Sequence, residues 1–269
     1  MNLVCTVRNC REPLVRVERT YACANRHAFD VARSGYVNLL QPQDKKSKSP
    51  GDTTDAAAAR RRFFEAGHAR PLVDAIVHAL PLRDGDALLD AGCGEGHHLD
   101  AFRAAYGVEA WGLDISVPAI ELAAKKYRAC HWVVANADRF LPFENGAFAA
   151  VTSITARLNA EEFRRVLAPG GTLLVVLPST HDLIELRAAI LGEGVERDRV
   201  ERTIAAFAPH FGNVERQETI THTATLDPAA MRDAMESSYR GLRTRERERL
   251  ERLQAMQVTL ARDLLLFRA

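Results

Sequence analysis

Between residues 87 and 177 the hydrophobic period switches back and forth between that of a strand and that of a helix. Short apolar runs fall at 87–90, 110–114, 131–135, 147–154 and 172–177, and residues 99–105, 117–127 and 160–167 read as helices between them. Strands this short, alternating with helices, bury themselves as a parallel sheet covered on both faces, because each parallel crossover needs a helix-length connection. The expected fold is therefore α/β: a doubly wound, mostly parallel, Rossmann-like sheet over residues 56–269. Two further β-rich runs, 215–226 and 258–267, flank an Arg/Glu-rich helix near 240–254 that reads as an exposed face or a subunit contact.

The first strand runs into Leu89-Asp90-Ala91-Gly92-Cys93-Gly94-Glu95-Gly96. Glycines at alternate positions let the backbone turn sharply against a ligand lying over the strand ends. The acidic residue ahead of them would repel a phosphate and attract an ammonium or sulfonium, so Asp90 is expected to face the cationic end of a cofactor. Asp114 ends the second strand eighteen residues after Gly96, where a carboxylate can accept both hydroxyls of a ribose. Asn136, just past the third strand, is placed to meet an adenine edge. Candidate cofactor contacts are thus Asp90, Gly92, Gly94, Gly96, Asp114 and Asn136, with His98, Ile115 and Ala137 beside them.

The first seventy residues have a different character. Cys5, Cys10, Cys23 and His27 form C-x4-C-x12-C-x3-H, a spacing suited to a structural zinc knuckle. A segment this small cannot bury enough core to fold alone, and a metal would supply the missing folding energy. The competing reading is one disulfide plus a spare thiol. Cys93 and Cys130 are isolated and read as packing residues. Residues 1–40 are read as the knuckle. Residues 41–55, rich in Lys, Ser, Pro and Gly, are read as a basic flexible linker, and Asp52, Thr53 or Thr54 could cap the helix that follows. Residues 1–70 carry a formal charge of +6 and the remainder −5. Lys45, Lys46, Lys48, Arg60, Arg61 and Arg62 are accordingly expected to contact phosphates of a polyanion, a solvated basic face being the plainer alternative.

These residues carry a resemblance. The glycine loop and the features after it resemble a class I S-adenosylmethionine-dependent methyltransferase. With the cysteines, the phrase from Phe29 through Leu40, Gly51-Asp52-Thr53-Thr54-Asp55, Ala66-Gly67-His68 and Pro178 through Leu183, residues 1–190 resemble the 23S rRNA guanine-N1 methyltransferases. That family includes housekeeping and macrolide-resistance members. The resemblance implies that Gly94, Glu95 and His181 touch S-adenosyl-L-methionine, that structural Zn2+ sits in the knuckle, and that the knuckle helps hold an RNA hairpin. It further implies a guanine N1 target in domain II of 23S rRNA, near the peptide exit tunnel, met as free RNA or in a ribosomal subunit precursor, and it allows a homodimer. The strand-four motif departs from the family pattern, reading Thr155-Ala156-Arg157 in place of an aromatic followed by Ala-Pro.

Two other functions fit the residues: methylation of a small molecule with the knuckle as a lid, and RNA binding without turnover. No single residue is marked as the base that would take the guanine N1 proton; Asp138, Arg157 and His181 are the candidates. No apolar run approaches the ~20 residues of a membrane span, and the N-terminus lacks the pattern of a secretory signal, so cytoplasmic residence without membrane association is expected.

Overall fold

In the computed structural model, which describes residues 3–45, 47–192, 198–237 and 243–269, the N-terminal segment is a small antiparallel sheet. Its strands β1 (Leu3–Val4), β2 (Pro13–Val17), β3 (Thr20–Ala22) and β4 (Ala28–Asp30) pair in sequence order. Too short to enclose a core, they bury Leu3, Cys5, Leu14 and Cys23 against the main domain, where Leu3 bridges to Phe143. The chain then adds β5 (Val37–Asn38) in parallel to the edge of the central sheet, with Val37 opposite Val133.

Residues 54–79 form α1 (Thr54–Glu65) and α2 (Arg70–Ala79). Of the three candidate caps, Thr53 takes the part: its hydroxyl accepts from the Ala56 amide at 3.2 Å. The expected alternation follows as β6 (Ala87–Ala91), α3 (His97–Tyr106), β7 (Glu109–Asp114), α4 (Val117–Lys126), β8 (His131–Val134), β9 (Phe148–Ile154), α5 (Ala160–Val166) and β10 (Leu167–Pro178). The last strand starts five residues earlier than its apolar run predicts. After α6 (Ile184–Leu191) and α7 (Val200–Phe211), β11 (Arg216–Leu226) and β12 (Met256–Arg268) return as an antiparallel pair, separated by α8 (Pro228–Glu236) and α9 (Thr244–Glu251).

The eight strands run in the order β11-β12-β10-β9-β6-β7-β8-β5, and all pairs from β10 to β5 are parallel. Side chains alternate across this sheet. Leu88, Ala110, Trp132, Val134 and Leu174 face a core with α2, α3 and α4, whereas Leu89, Leu113, Val133, Val151 and Val175 face the other with α5 and α7. No helix lies between β8 and β9, and the knuckle covers that part of the second face. Chain order reverses between β6 and β9. This is the switch point at which open α/β sheets present a ligand crevice beyond the carboxyl ends of the strands.

Candidate cofactor cleft and metal centre

The glycine loop leaves β6 and is pinned to the next strand. The amides of Gly92 and Cys93 both donate to the Leu113 carbonyl, at 2.7 and 3.1 Å. Asp114 fixes the rest: its Oδ2 accepts from the Gly94 amide at 2.9 Å and its Oδ1 from the Ser116 amide at 2.8 Å. Gly92 has φ +90°, and a Cβ there would lie 2.3 Å from the Ala156 methyl, so the loop closes against the segment after β9 only because the side chain is absent. That segment turns at Thr155, whose φ of +52° is unusual for a β-branched residue.

Three carboxylates converge beneath this bend. Asp90 is buried and accepts from Thr152 Oγ1 at 2.8 Å; burial, reinforced by Asp114 and Glu95, pushes its pKa up to about 7. Burial raises Glu95 to about 7 as well, against the pull of Arg61 and Arg60. Asp114 is raised mainly by desolvation, offset by its two amide hydrogen bonds. Three buried atoms here lack a hydrogen-bond partner among the described residues: Glu95 Oε2 and Arg61 Nε and Nη2, with Nε 3.9 Å from Oε2. A cluster of desolvated acids around a bare backbone bend suits a cationic group, and the orphaned atoms mark an edge built to receive polar partners.

The other expected contacts distribute around this centre. Gly96 caps α3 in the left-handed region, and His98 lies in that helix's first turn, pushed down to about 3 by burial and by nearby His97 and Arg262. Ile115 follows Asp114 directly and packs near Gly51. Asn136 sits at the end of β8, where its Nδ2 donates to the Asp44 carbonyl at 2.8 Å and its Oδ1 accepts from the Asp138 amide at 3.0 Å. The Ala137 carbonyl accepts from Asn159. His181 is exposed beyond β10, with Thr180 Oγ1 3.1 Å from its Nδ1. At the rim, Arg157 Nε lies 3.9 Å from Asp138.

The segment after β5 is laid across these strand ends. Asp44 meets Asn136, the Asp52 carbonyl accepts from Ser116 Oγ at 2.7 Å, and a Cβ on Gly51 would come within 2.7 Å of the Ser116 Cβ. Lys45 and Lys48 are exposed and line a groove of about 400 Å³ with Pro50, Thr53, Val117 and Pro118. Lys46 lies outside the described residues. The three arginines of α1 are directed differently from one another. Arg62, more than half exposed, grips Asp233 of α8. Arg61 turns in toward Glu95, and Arg60 turns over the glycine loop to pair with Asp52, so these two do not present their charge to solvent as a phosphate-binding run requires. The reason is tertiary: α1 packs on α4 and α8, which brings Arg60 and Arg61 to buried Glu95 and half-buried Asp114. Nothing in the linear spacing between Asp52, Arg60 and Glu95 signals that they meet.

Cys5, Cys10, Cys23 and His27 come together at the base of the knuckle, with all four ligand atoms within 4.8 Å of one another. Cys5 Sγ and Cys23 Sγ each lie 3.4 Å from His27 Nδ1, and Cys10 Sγ lies 3.8 Å from Cys23 Sγ. A tetrahedron with Zn–S bonds of about 2.3 Å has edges of about 3.8 Å, so the donors fit zinc. All five cysteines are free, which removes the disulfide alternative, and Cys93 and Cys130 are buried as expected of packing residues. Phe140 bolts the knuckle to the domain: the Arg11 guanidinium lies 3.2 Å from its ring centre and that of Arg165 at 4.8 Å.

Comparison with known proteins decides the family. Residues 5–48 match the zinc-ribbon family described as "RlmA, N-terminal", and residues 88–171 match a methyltransferase domain. The 23S rRNA (guanine(748)-N(1))-methyltransferase of Streptomyces fradiae is 40% identical over 232 residues, spanning 83% of this chain and 80% of its own length. The chain belongs to the 23S rRNA guanine-N1 methyltransferase family. Its fold recurs in solved structures of low sequence identity. The complex of the Haloferax volcanii Trm112 methyltransferase activator has TM-score 0.54 at 24% identity, over 82% of this chain and 99% of that one. The YcgJ protein of Bacillus subtilis has TM-score 0.53 at 15% identity, over 73% and 97%. As in this family, the cofactor is S-adenosyl-L-methionine and the knuckle metal is a structural zinc, both consistent with the donor sets above.

Proposed function

We infer that this enzyme transfers a methyl group from S-adenosyl-L-methionine to N1 of a guanine in 23S rRNA. Family membership across both parts of the chain carries the reading, since the zinc knuckle joined to the methyltransferase domain is shared with the Streptomyces fradiae enzyme over most of its length. The finer assignment is a guanine in a hairpin loop of domain II near the peptide exit tunnel, methylated in the cytoplasm. Among the described residues no helix is long and apolar enough to cross a membrane.

The residues divide the work as follows. Asp90 and Glu95 hold the cationic end of the cofactor, Gly92, Gly94 and Gly96 let it approach the backbone, and Asp114 takes the ribose, its carboxylate already oriented by two amides. Asn136 reads the adenine edge once it leaves the Asp44 carbonyl, with His98, Ile115, Ala137 and His181 completing the walls. When bound, the cofactor supplies a methyl group activated on a sulfonium. The protein's contribution is to hold guanine N1 in line with that methyl, a matter of positioning. The N1 proton leaves as the N–C bond forms. We assign Asp138, whose amide donates to Asn136 Oδ1 and whose carboxylate lies 3.9 Å from Arg157 Nε, as the acceptor of that proton. The base must be unstacked to enter, which favours a loop nucleotide. Lys45 and Lys48, on the strap that the segment after β5 forms across the strand ends, supply phosphate contacts, and the knuckle holds the stem.

The test is incubation of zinc-loaded protein with labelled cofactor and either free 23S rRNA or ribosomal subunits, followed by mapping of reverse-transcription stops, because methylation at N1 blocks Watson–Crick pairing. A single new stop at a loop guanine is expected. No label in either RNA, from protein that binds the cofactor, overturns the reading.

A further inference from the structure

Consecutive residues on a helix leave its axis about 100° apart, so the run Arg60-Arg61-Arg62 cannot present one face. Arg62 is committed to Asp233, and Arg61 has its buried Nε beside Glu95 at 3.9 Å, without a hydrogen bond to it. Arg60 is held at both ends of its guanidinium: Nη1 pairs with Asp52, and Nη2 donates to the Ser237 carbonyl at 2.7 Å. These partners use two of its five N–H groups. A Cβ built on Gly94 would lie 3.2 Å from Nη1, so the fork sits directly on the open side of the loop's middle glycine. A quarter of its side chain remains accessible.

The chemistry of the cleft lacks something without it. Asp90, Glu95 and Asp114 suit the sulfonium, ammonium and ribose hydroxyls of an S-adenosyl compound, but three acids repel the carboxylate on the same ligand. A zwitterionic amino-acid end needs a cation within reach of the glycine loop. Lys45 and Lys48 are exposed, and Arg61 is the more enclosed of the two inward arginines, its Nε 3.9 Å from buried Glu95. Arg60 is a planar, bidentate donor already fixed in orientation, the arrangement that recognises a carboxylate with least loss of side-chain freedom.

We propose that Arg60 is the seat of the cofactor's α-carboxylate, with Asp52 and the Ser237 carbonyl holding the guanidinium flat against the glycine loop. This rests on the S-adenosyl reading of the loop and adds to it a specificity-determining residue that the run of basic residues assigns to RNA. It binds the cofactor directly and takes no part in methyl transfer, while Asp52 and Ser237 act through it. The assignment also makes the strap carrying Asp52 part of the cofactor site.

The experiment is calorimetry of the full zinc-loaded chain with two ligands, S-adenosylhomocysteine and its decarboxylated analogue, which keeps the amine and adenosine. Wild-type protein is expected to bind the carboxylate-bearing ligand at least tenfold more tightly. Arg60→Gln should weaken S-adenosylhomocysteine about 10- to 100-fold while changing the analogue less than threefold, and Arg60→Lys should recover part of the loss. A wild-type ratio near one overturns the proposal whatever the variants do, as does a loss in Arg60→Gln that is equal for the two ligands. If wild-type protein binds neither ligand, the S-adenosyl reading itself fails. That outcome is distinct from binding both without discrimination.

Discussion

Replacing Asp90 with Asn separates the stability of this enzyme from its function, and pH is the lever. The carboxylate is buried, and its pKa rises from 3.8 to about 7, first through desolvation and then through Asp114 and Glu95, against the Thr152 hydrogen bond. The folded state therefore holds the Asp90 proton more tightly than the unfolded chain. Between pH 4 and pH 7 the unfolded chain releases that proton first, so each rise in pH in this window favours unfolding. Above pH 7 the full penalty is present, about 4 kcal/mol for a rise from 3.8 to about 7. Asn cannot ionise, and its carbonyl can still accept from Thr152 Oγ1. Asp90→Asn should thus match wild type to within about 1 kcal/mol at pH 4 and exceed it by about 4 kcal/mol at pH 8.5, a gain in Tm on the order of 10 °C. Other buried groups act in the opposite direction, His98 among them, because its folded pKa of about 3 favours the folded state as pH rises through the ordinary histidine range. The quantity to measure is therefore the difference between variant and wild type in ligand-free thermal unfolding across pH 4–8.5. The gain in stability should come with weaker binding of S-adenosylmethionine, whose positive charge the ionised Asp90 meets. A difference in Tm that stays flat across the pH range would refute the reasoning, because it would place the carboxylate in water-like surroundings.

Three further outcomes follow from particular contacts. Gly92→Ala forces a left-handed backbone position to carry a methyl group against Ala156, and should destabilise the fold by about 1–3 kcal/mol and weaken cofactor binding at least tenfold, read by thermal unfolding and calorimetry. Cys23→Ser should remove stoichiometric zinc, measured by elemental analysis, and expose the amides of residues 13–30 to hydrogen exchange while β6 and β9 remain protected. Phe140→Ala removes the ring between Arg11 and Arg165 and should loosen the knuckle, raising exchange at Val4 and Cys5, whose amides bond to Pro142 and Glu12, with a loss of about 1–3 kcal/mol.

Much of this protein is written in local pattern. Alternating period fixed the strands from β6 to β10, because period-2 and period-3.6 segments bury different faces and cannot exchange roles. The glycine loop and the acid at the end of β7 were legible for a similar reason: a backbone that must turn tightly admits few residue types. The cysteine spacing announced a tetrahedral donor set that the structure closes to within 4.8 Å.

What the linear order could not state is which surfaces meet. Residues 41–55 have the composition of a linker, yet Asp44 and Asp52 bond to Asn136 and Ser116, far along the chain. Likewise Val37 and Asn38 belong by sequence to the knuckle and by hydrogen bonding to the central sheet. Three adjacent arginines look alike until α1 is packed, when they divide among Asp52, Glu95 and Asp233. Local propensity and spacing are decided by a few neighbours, so the sequence determined them by itself. The direction of a charge depends on the acids that folding brings beside it, and that only the tertiary structure decided.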